Sequence, residues 1–400
     1  MANHFTDEEW AQINAHLDTD PAKYGIPQRR DNSFVVMSWN IRKLGRFEEN
    51  GELKKSPGAF DMIERVCASA DLIAIQEVQR DIASLYILRD RLRTTHDASW
   101  NVVVSDVTGM APGYKGMAER HAFLYRSDRI RRGDLASDLS FDRSAVVENS
   151  DAALKQLVQA EVDLAGKDGL LAKITGWLSG QQKLAGAKFK RFVQFIRTPH
   201  LVEFIVDGPA GSYEFYAVNA HLVSGKSKSE RELEFFALLE WLLFDSKHTV
   251  VKENKTYLLM ADLNLDFESS VDKRRKAFAD YMTSVNNEKK LQAKVNFPFL
   301  DGGFFTNARR NQTFDHIAWV STDPRLPRGR HNKMAGTLGP DEYDFGMFDF
   351  VQAFADAGPG LTDGGTPAYD RYTHDFTDHM PIWVRLPIPH ANQTDFSVPA

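Results

Sequence analysis

The triplet Asp262-Leu263-Asn264 puts two polar side chains two residues apart at the end of the apolar run Tyr257-Leu258-Leu259-Met260. In an extended strand such residues point the same way, so the carboxylate and the amide address one spot. Asn40, Glu77, Glu119, His221, Asp315, Asp378 and His379 stand at the ends or edges of other apolar stretches in the same manner. Carboxylates and amides without cysteine are hard oxygen donors, which suit Mg2+ or Mn2+ rather than zinc. Histidines beside carboxylates suit proton transfer, because the acid orients the imidazole and supports its charged form. A divalent ion, two histidines and positioned amides together make a phosphodiester hydrolase. One His–carboxylate pair activates water, the ion stabilises the pentavalent transition state, and a second donor helps the leaving oxygen.

Each residue also has a plainer account. Asp262 can close its strand as an Asx turn, and a strand-end histidine can be a hydrogen-bonded structural group. Glu77 and Asp378 can cap turns or helices, and Asp315 can pair with an arginine. Lys226, Lys228 and the basic stretch Arg325–Lys333 read first as solvated faces. Recurrence favours the chemical account, since many strands of one chain end this way.

These side chains need strands to carry them. Tyr257–Met260 is apolar on both faces, the pattern of a strand buried on both sides. Phe34–Arg42, Asp71–Gln79, Asn101–Ser105, Glu119–Arg126, His200–Val206, Tyr213–Leu222, Thr313–Val320 and Ile382–Leu386 read as further strands. Helical spacing covers Ala59–Ser69, Ile82–Arg93 and Glu230–Phe244. Residues 1–31 form an N-terminal extension, with Thr6 and Glu9 as a capping box for a helix through Leu17. The main domain spans 32–390, interrupted by a helical insertion at about 131–191, and 391–400 is a tail.

Composition sets bounds. The 400 residues are 42% hydrophobic, with 27 Phe and 7 Trp, enough for a large core. No 18-residue apolar run exists, which excludes a membrane-spanning helix and a membrane partner of that kind. The N-terminus MANHFTDEEW is acidic and lacks an apolar leader. The single Cys67 excludes an internal disulfide and lies in a helical core pattern. Together these point to the cytoplasm. The net charge of −6 confines any polyanion contact to a local patch.

Taken in order, SWNIRKLG, DLIAIQEVQ, ERHAFLYR, IRTP, VNAHL, MADLNLD, TFDHI and TDHMPIWV resemble the blocks of the endonuclease/exonuclease/phosphatase superfamily, in its deoxyribonuclease I-like branch. The resemblance implies a four-layer α/β sandwich of two packed mixed β-sheets flanked by helices. It implies a metal site at Glu77, Asn40 and Asp378. It makes His221 and His379 the catalytic histidines, with Glu119 and Asp315 as their respective carboxylate partners. Asp262 and Asn264 fall on the D-x-N that holds the scissile phosphate and metal, and Arg42 and Arg197 on phosphate-contacting arginines. Asp315–His379 becomes the general-base pair and His221, oriented by Glu119, the general acid, although the resemblance permits other assignments. The implied activity is Mg2+-dependent hydrolysis of DNA. The alternatives are a phosphatase on a small or lipid substrate of the inositol phosphate type, or a non-catalytic binding protein on the same fold. Ala261 departs from the glycine usual before the D-x-N, and Met117 from a minor-groove tyrosine.

Overall fold

The computed structural model describes residues 4–45, 55–109, 118–139, 195–224, 256–266, 294–301, 304–321, 342–358, 361–363 and 366–389, with gaps at 302–303 and a few single positions between these spans. Fifteen strands appear in this order: β1 Ser33–Leu44, β2 Leu72–Gln79, β3 Trp100–Val104, β4 Glu119–Arg126, β5 Ile130–Asp138, β6 His200–Gly208, β7 Gly211–His221, β8 Thr256–Asp262, β9 Lys294–Asn296, β10 Asp315–Ser321, β11 Arg330–His331, β12 Glu342–Met347, β13 Thr362–Asp363, β14 Thr366–Pro367 and β15 Ile382–Pro387. One sheet has the order β11-β12-β15-β1-β2-β4-β3 and the other β5-β6-β7-β8-β10-β9. Both are mixed: β1 runs parallel to β2 and β7 parallel to β8, while β15 and β10 join antiparallel.

The two sheets pack face to face. Alternation along each strand divides its side chains between two cores. Phe34 and Val36 of β1, Leu72 and Ala74 of β2, Phe204 of β6, Phe215 of β7, Met260 of β8 and Trp319 of β10 fill the space between the sheets. The intervening residues Val35, Met37, Ile73 and Ile75 face the other way, against helices. Those helices are α1 Asp7–Thr19, α2 Pro57–Cys67, α3 Ala83–Thr95, α4 Phe350–Ala357 and α5 Tyr369–Asp375. Outside the second sheet, Arg231, Glu234, Phe235, Leu238 and Leu242 are helical. The Phe235 ring lies 6.4 Å from Phe297, which meets His316 of β10 at 4.9 Å with the rings tilted by 45°. The expected sandwich, two mixed sheets with helices outside, is the observed one.

The N-terminal helix is part of the core. Thr6 and Glu9 close the expected capping box, and Trp10, Ile13 and Leu17 are buried. Trp10 meets Phe354 of α4 at 5.5 Å. The sequence reading starts a helical insertion near 131, but Ile130–Asp138 is the edge strand β5, paired with β6. Its outer residues are mostly exposed, so no apolar alternation marks it. Residues 140–194, Met117, Lys226, Lys228 and the tail from 390 lie outside the described residues. Among the described residues, no helix is long and apolar enough to cross a membrane.

Candidate active site

The inter-sheet face of six strands turns from apolar to polar at one end. On β1 the inward series is Phe34, Val36, Ser38, Asn40; on β7 it is Phe215, Ala217, Asn219, His221. The first polar level is a hydrogen-bonded floor: Gln76 Nε2 donates to Asn219 Oδ1 across the sheets at 2.7 Å and to Ser38 Oγ at 3.3 Å. Asn219 Nδ2 donates to the carbonyls of Ile75 and Ala122. The floor satisfies buried amides that would otherwise be costly, and it gives the site a fixed base. Sequence reading passed over Gln76 and Asn219, although both keep the inward period of their strands.

Above the floor, His221, Asp262 and Asp315 form one row across β7, β8 and β10: His221 is the register partner of Asp262, and Asp262 of Asp315. His379 reaches this row from the loop before β15, and its Nδ1 lies 2.9 Å from Asp315 Oδ2. His221 Nδ1 lies 2.7 Å from Glu119 Oε1. Both expected histidine–carboxylate pairs are thus brought together, His379 and Asp315 by a hydrogen bond and His221 and Glu119 at ion-pair distance. Asp262 stands between them, its Oδ2 3.5 Å from His221 Nε2 and 3.7 Å from His379 Nε2.

Asn40 donates Nδ2 to Asp262 Oδ2 at 3.0 Å and to Glu77 Oε1 at 3.2 Å. Glu77 arrives there through a register shift in β2 and a left-handed backbone, φ 58°. The bulge turns inward a residue that strict alternation would aim at the helices. A non-glycine residue in this conformation is strained and persists only because the surrounding structure holds it. Asn264, also left-handed at φ 49°, donates its backbone N–H to Asp262 Oδ1 at 2.9 Å. The Asx turn and the converging site are thus one structure, and Asn264 Nδ2 is held by the Leu222 carbonyl at 3.0 Å.

Two positions differ from what the resemblance implies. Arg197 is buried; its Nε sits 2.6 Å from Glu119 Oε1 and its Nη1 donates to the Leu222 carbonyl. Its guanidinium is engaged with Glu119. Asp378 pairs with Arg42 at 2.8 Å, both half-exposed at the mouth, so carboxylate and guanidinium occupy each other.

Threonines, which the sequence did not single out, set the geometry. Thr377 Oγ1 donates to the Asn40 carbonyl and accepts from the His379 N–H. Thr306 Oγ1 accepts from the N–H groups of Phe314 and Asp315. Only their spacing of two and nine residues from His379 and Asp315 would have hinted at this.

Electrostatics separate the two histidines. Burial pushes His221 down to about 4, and Arg197 adds to this against the pull of Asp262. Burial also opposes the charge on His379, but Asp315 and Asp262 outweigh it and hold His379 well above the usual range. Burial raises Glu119, with Arg197 opposing. A divalent cation fits this donor set. The side-chain oxygen Asn40 Oδ1 is buried with no partner among the described residues. Glu77, Glu119 and His221 offer ligand atoms within 4.8 Å of one another, as do Asp262, Asp315 and His379. Oxygen-rich sets of this kind hold hard cations.

Fold and site together define the class: a two-sheet α/β sandwich with two histidine–carboxylate pairs facing across an oxygen-rich centre, where all eight sequence blocks converge. No family model matches the chain. It is similar to a deoxyribonuclease of Thioalkalivibrio sp. (strain K90mix), 34% identical over 95 residues, a stretch covering 24% of this chain and 23% of that protein. The matched part is thus about a quarter of the relative's length. Among solved structures, the human Nocturnin catalytic domain with bound sulfate is similar over 90% of this chain and 96% of its own, at 10% identity and TM-score 0.47. An endonuclease/exonuclease/phosphatase family protein from Bacteroides thetaiotaomicron is similar over 89% and 95%, at 12% identity and TM-score 0.43.

Proposed function

We propose that this chain is a metal-dependent phosphodiesterase of the endonuclease/exonuclease/phosphatase type that hydrolyses DNA with Mg2+, or Mn2+ in its place. The observation that carries the reading is Asp262 placed between two oriented histidines, His221 on Glu119 and His379 on Asp315. Glu77, Asn40 and Asp262 would hold the ion, with Asp378 at the mouth, and the ion would supply charge stabilisation to the transferring phosphoryl group. Asp315, hydrogen-bonded to His379 Nδ1, fixes that ring's tautomer, and Glu119 lies at ion-pair distance from His221 Nδ1, leaving each Nε2 directed toward Asp262 to hold or move a proton. Asn40 and Asn264 keep Asp262 in place.

Burial lowers His221 while Asp315 and Asp262 raise His379, so the shifts run against the first assignment implied by the resemblance, which also permits others. A cation against Asp262 would neutralise a carboxylate that helps raise His379, so we assign the two pairs jointly as base and acid. The deoxyribonuclease similarity supports DNA as substrate. The single cysteine, Cys67, has no partner in the chain for an internal disulfide, which agrees with a cytoplasmic setting. Supercoiled plasmid incubated with the protein and Mg2+ should be nicked or degraded, and EDTA should stop it. Intact plasmid at high enzyme and Mg2+ or Mn2+ concentration would overturn the reading.

A further inference from the structure

We propose that the turn 304–312 and Tyr369 of α5 form a strand-holding platform for an unpaired nucleotide beside the scissile phosphate; this rests on the polynucleotide reading above. The turn is built into the site. Asn307 makes a β-bridge with His379, the Ala308 N–H donates to the Asp378 carbonyl, and the Met380 N–H donates to the Thr306 carbonyl. Asn307 Oδ1 accepts from the N–H groups of Asn311 and Gln312, which folds the tip tightly. Anything this turn presents is therefore presented beside Asp378 and His379.

It presents an aromatic face and a cation. Phe304 turns inward onto Phe299 and Phe345, at 5.3 and 5.2 Å. Phe305 turns out and is 46% exposed, one of only four large apolar residues so exposed among those described. Phe314, half-buried, lies 6.3 Å from the His379 ring. Arg309 is exposed, and its guanidinium lies 5.0 Å over the Tyr369 ring. Its neighbour Arg310 is tied to Asp349 at 2.6 Å, whereas Arg309 has no carboxylate partner among the described residues.

A guanidinium resting over an aromatic ring keeps its donors free for phosphate oxygens and loses less rotamer freedom on binding. An exposed phenyl ring two residues before the bridge to His379 offers a stacking face that accepts any base. A base inside a duplex has its faces covered, so the platform selects nucleotides that are single-stranded or frayed. A small phosphoester, having no second phosphate or base, gains nothing from it.

The test compares a single-stranded oligonucleotide with bis(p-nitrophenyl) phosphate, for the wild type and for Phe305→Ala and Arg309→Ala. Both side chains are exposed, and turnover of the small ester reports that each variant is folded. We expect KM on the oligonucleotide to rise about tenfold in each variant with kcat held, and turnover of the small ester to stay unchanged. Wild type that nicks supercoiled plasmid but fails on the oligonucleotide overturns the platform, and wild type that fails on both overturns the nuclease reading itself. Wild type that cleaves the oligonucleotide, with both variants equal to it in KM, overturns the platform alone. Equal losses on both substrates also overturn the platform, because the effect would then be structural.

Discussion

Asp315 lies directly across from Asp262 in the β8–β10 register and holds His379 Nδ1 at 2.9 Å. Two carboxylates in one row, on adjacent strands of one sheet, thus have different partners, one committed to a histidine and one to the centre. If Asp315 and His379 act as a unit, removing either should cost a proton-transfer step, on the order of 10²–10⁴-fold in rate for His379→Ala. Asp315→Ala should cost less, because the imidazole remains but loses its orientation. The double variant should fall no further than His379→Ala. Single-turnover rates of the three variants decide this. A double loss equal to the product of the single losses would separate the two residues.

Glu77→Gln keeps the size and the acceptor for Asn40 Nδ2 but removes the charge. Altering groups outside a metal's direct ligands already costs roughly 10–100-fold, so a ligand carboxylate should cost more. We expect turnover with Mg2+ to drop by at least about 100-fold, with the thermal melting curve essentially unmoved. Wild-type turnover by purified Glu77→Gln would remove this carboxylate from the metal site.

The strands were legible because six of them are apolar on both faces and end in polar residues. The histidine pairs became legible through block order, since Glu119 and His221 are joined only by the approach of two sheets. Glu77 was found by residue type, but its bulge was not, because a register shift leaves no mark in local periodicity. The edge strand β5 was missed because water covers most of it. Strand β12 and helix α4 were missed because they follow a stretch rich in Gly, Pro and Arg that reads as loop. The burial of Arg197 against Glu119 was not legible because a sequence block gives a residue's neighbourhood, not the direction of its side chain.

Asp71, fully buried before β2, accepts the Val35 N–H at 2.9 Å and lies 3.7 Å from Arg129. Burial pushes it up to about 6 despite these partners. The folded state therefore binds the proton more tightly than the unfolded chain. The resulting stability is fully present below about pH 4 and is lost as pH rises through about 6, on the order of 3 kcal/mol in all. Asp71→Asn keeps an acceptor for Val35 without the charge. Urea denaturation from pH 4 to 7 should show the variant gaining on the wild type across that window. A stability difference that does not change with pH would contradict the buried-charge account.

Gly58, in the first turn of α2, faces the Trp10 ring so closely that a Cβ placed there would meet Trp10 Cγ at 2.2 Å. Two effects oppose each other in Gly58→Ala. Helix propensity favours alanine by about 1 kcal/mol at most, and less in a first turn. Overpacking a filled core costs about 1–3 kcal/mol when the neighbour cannot yield. Trp10 cannot swing aside: its Nε1 donates to Ser56 Oγ at 3.0 Å and to Asp375 Oδ2 at 3.3 Å, and Phe5, Phe354 and Phe376 ring it at 5.3 to 6.0 Å. The clash therefore wins, and Gly58→Ala should lower stability by roughly 1–2 kcal/mol. Shrinking the partner should relieve the strain, so alanine at 58 should cost less in a Trp10→Leu background than in the wild type. The effect should also reach the site. Asp375 opens the segment that carries Thr377, which holds Asn40 and His379. Guanidinium denaturation of the four proteins measures the coupling. A Gly58→Ala protein as stable as the wild type would mean that Trp10 does not sit on this helix.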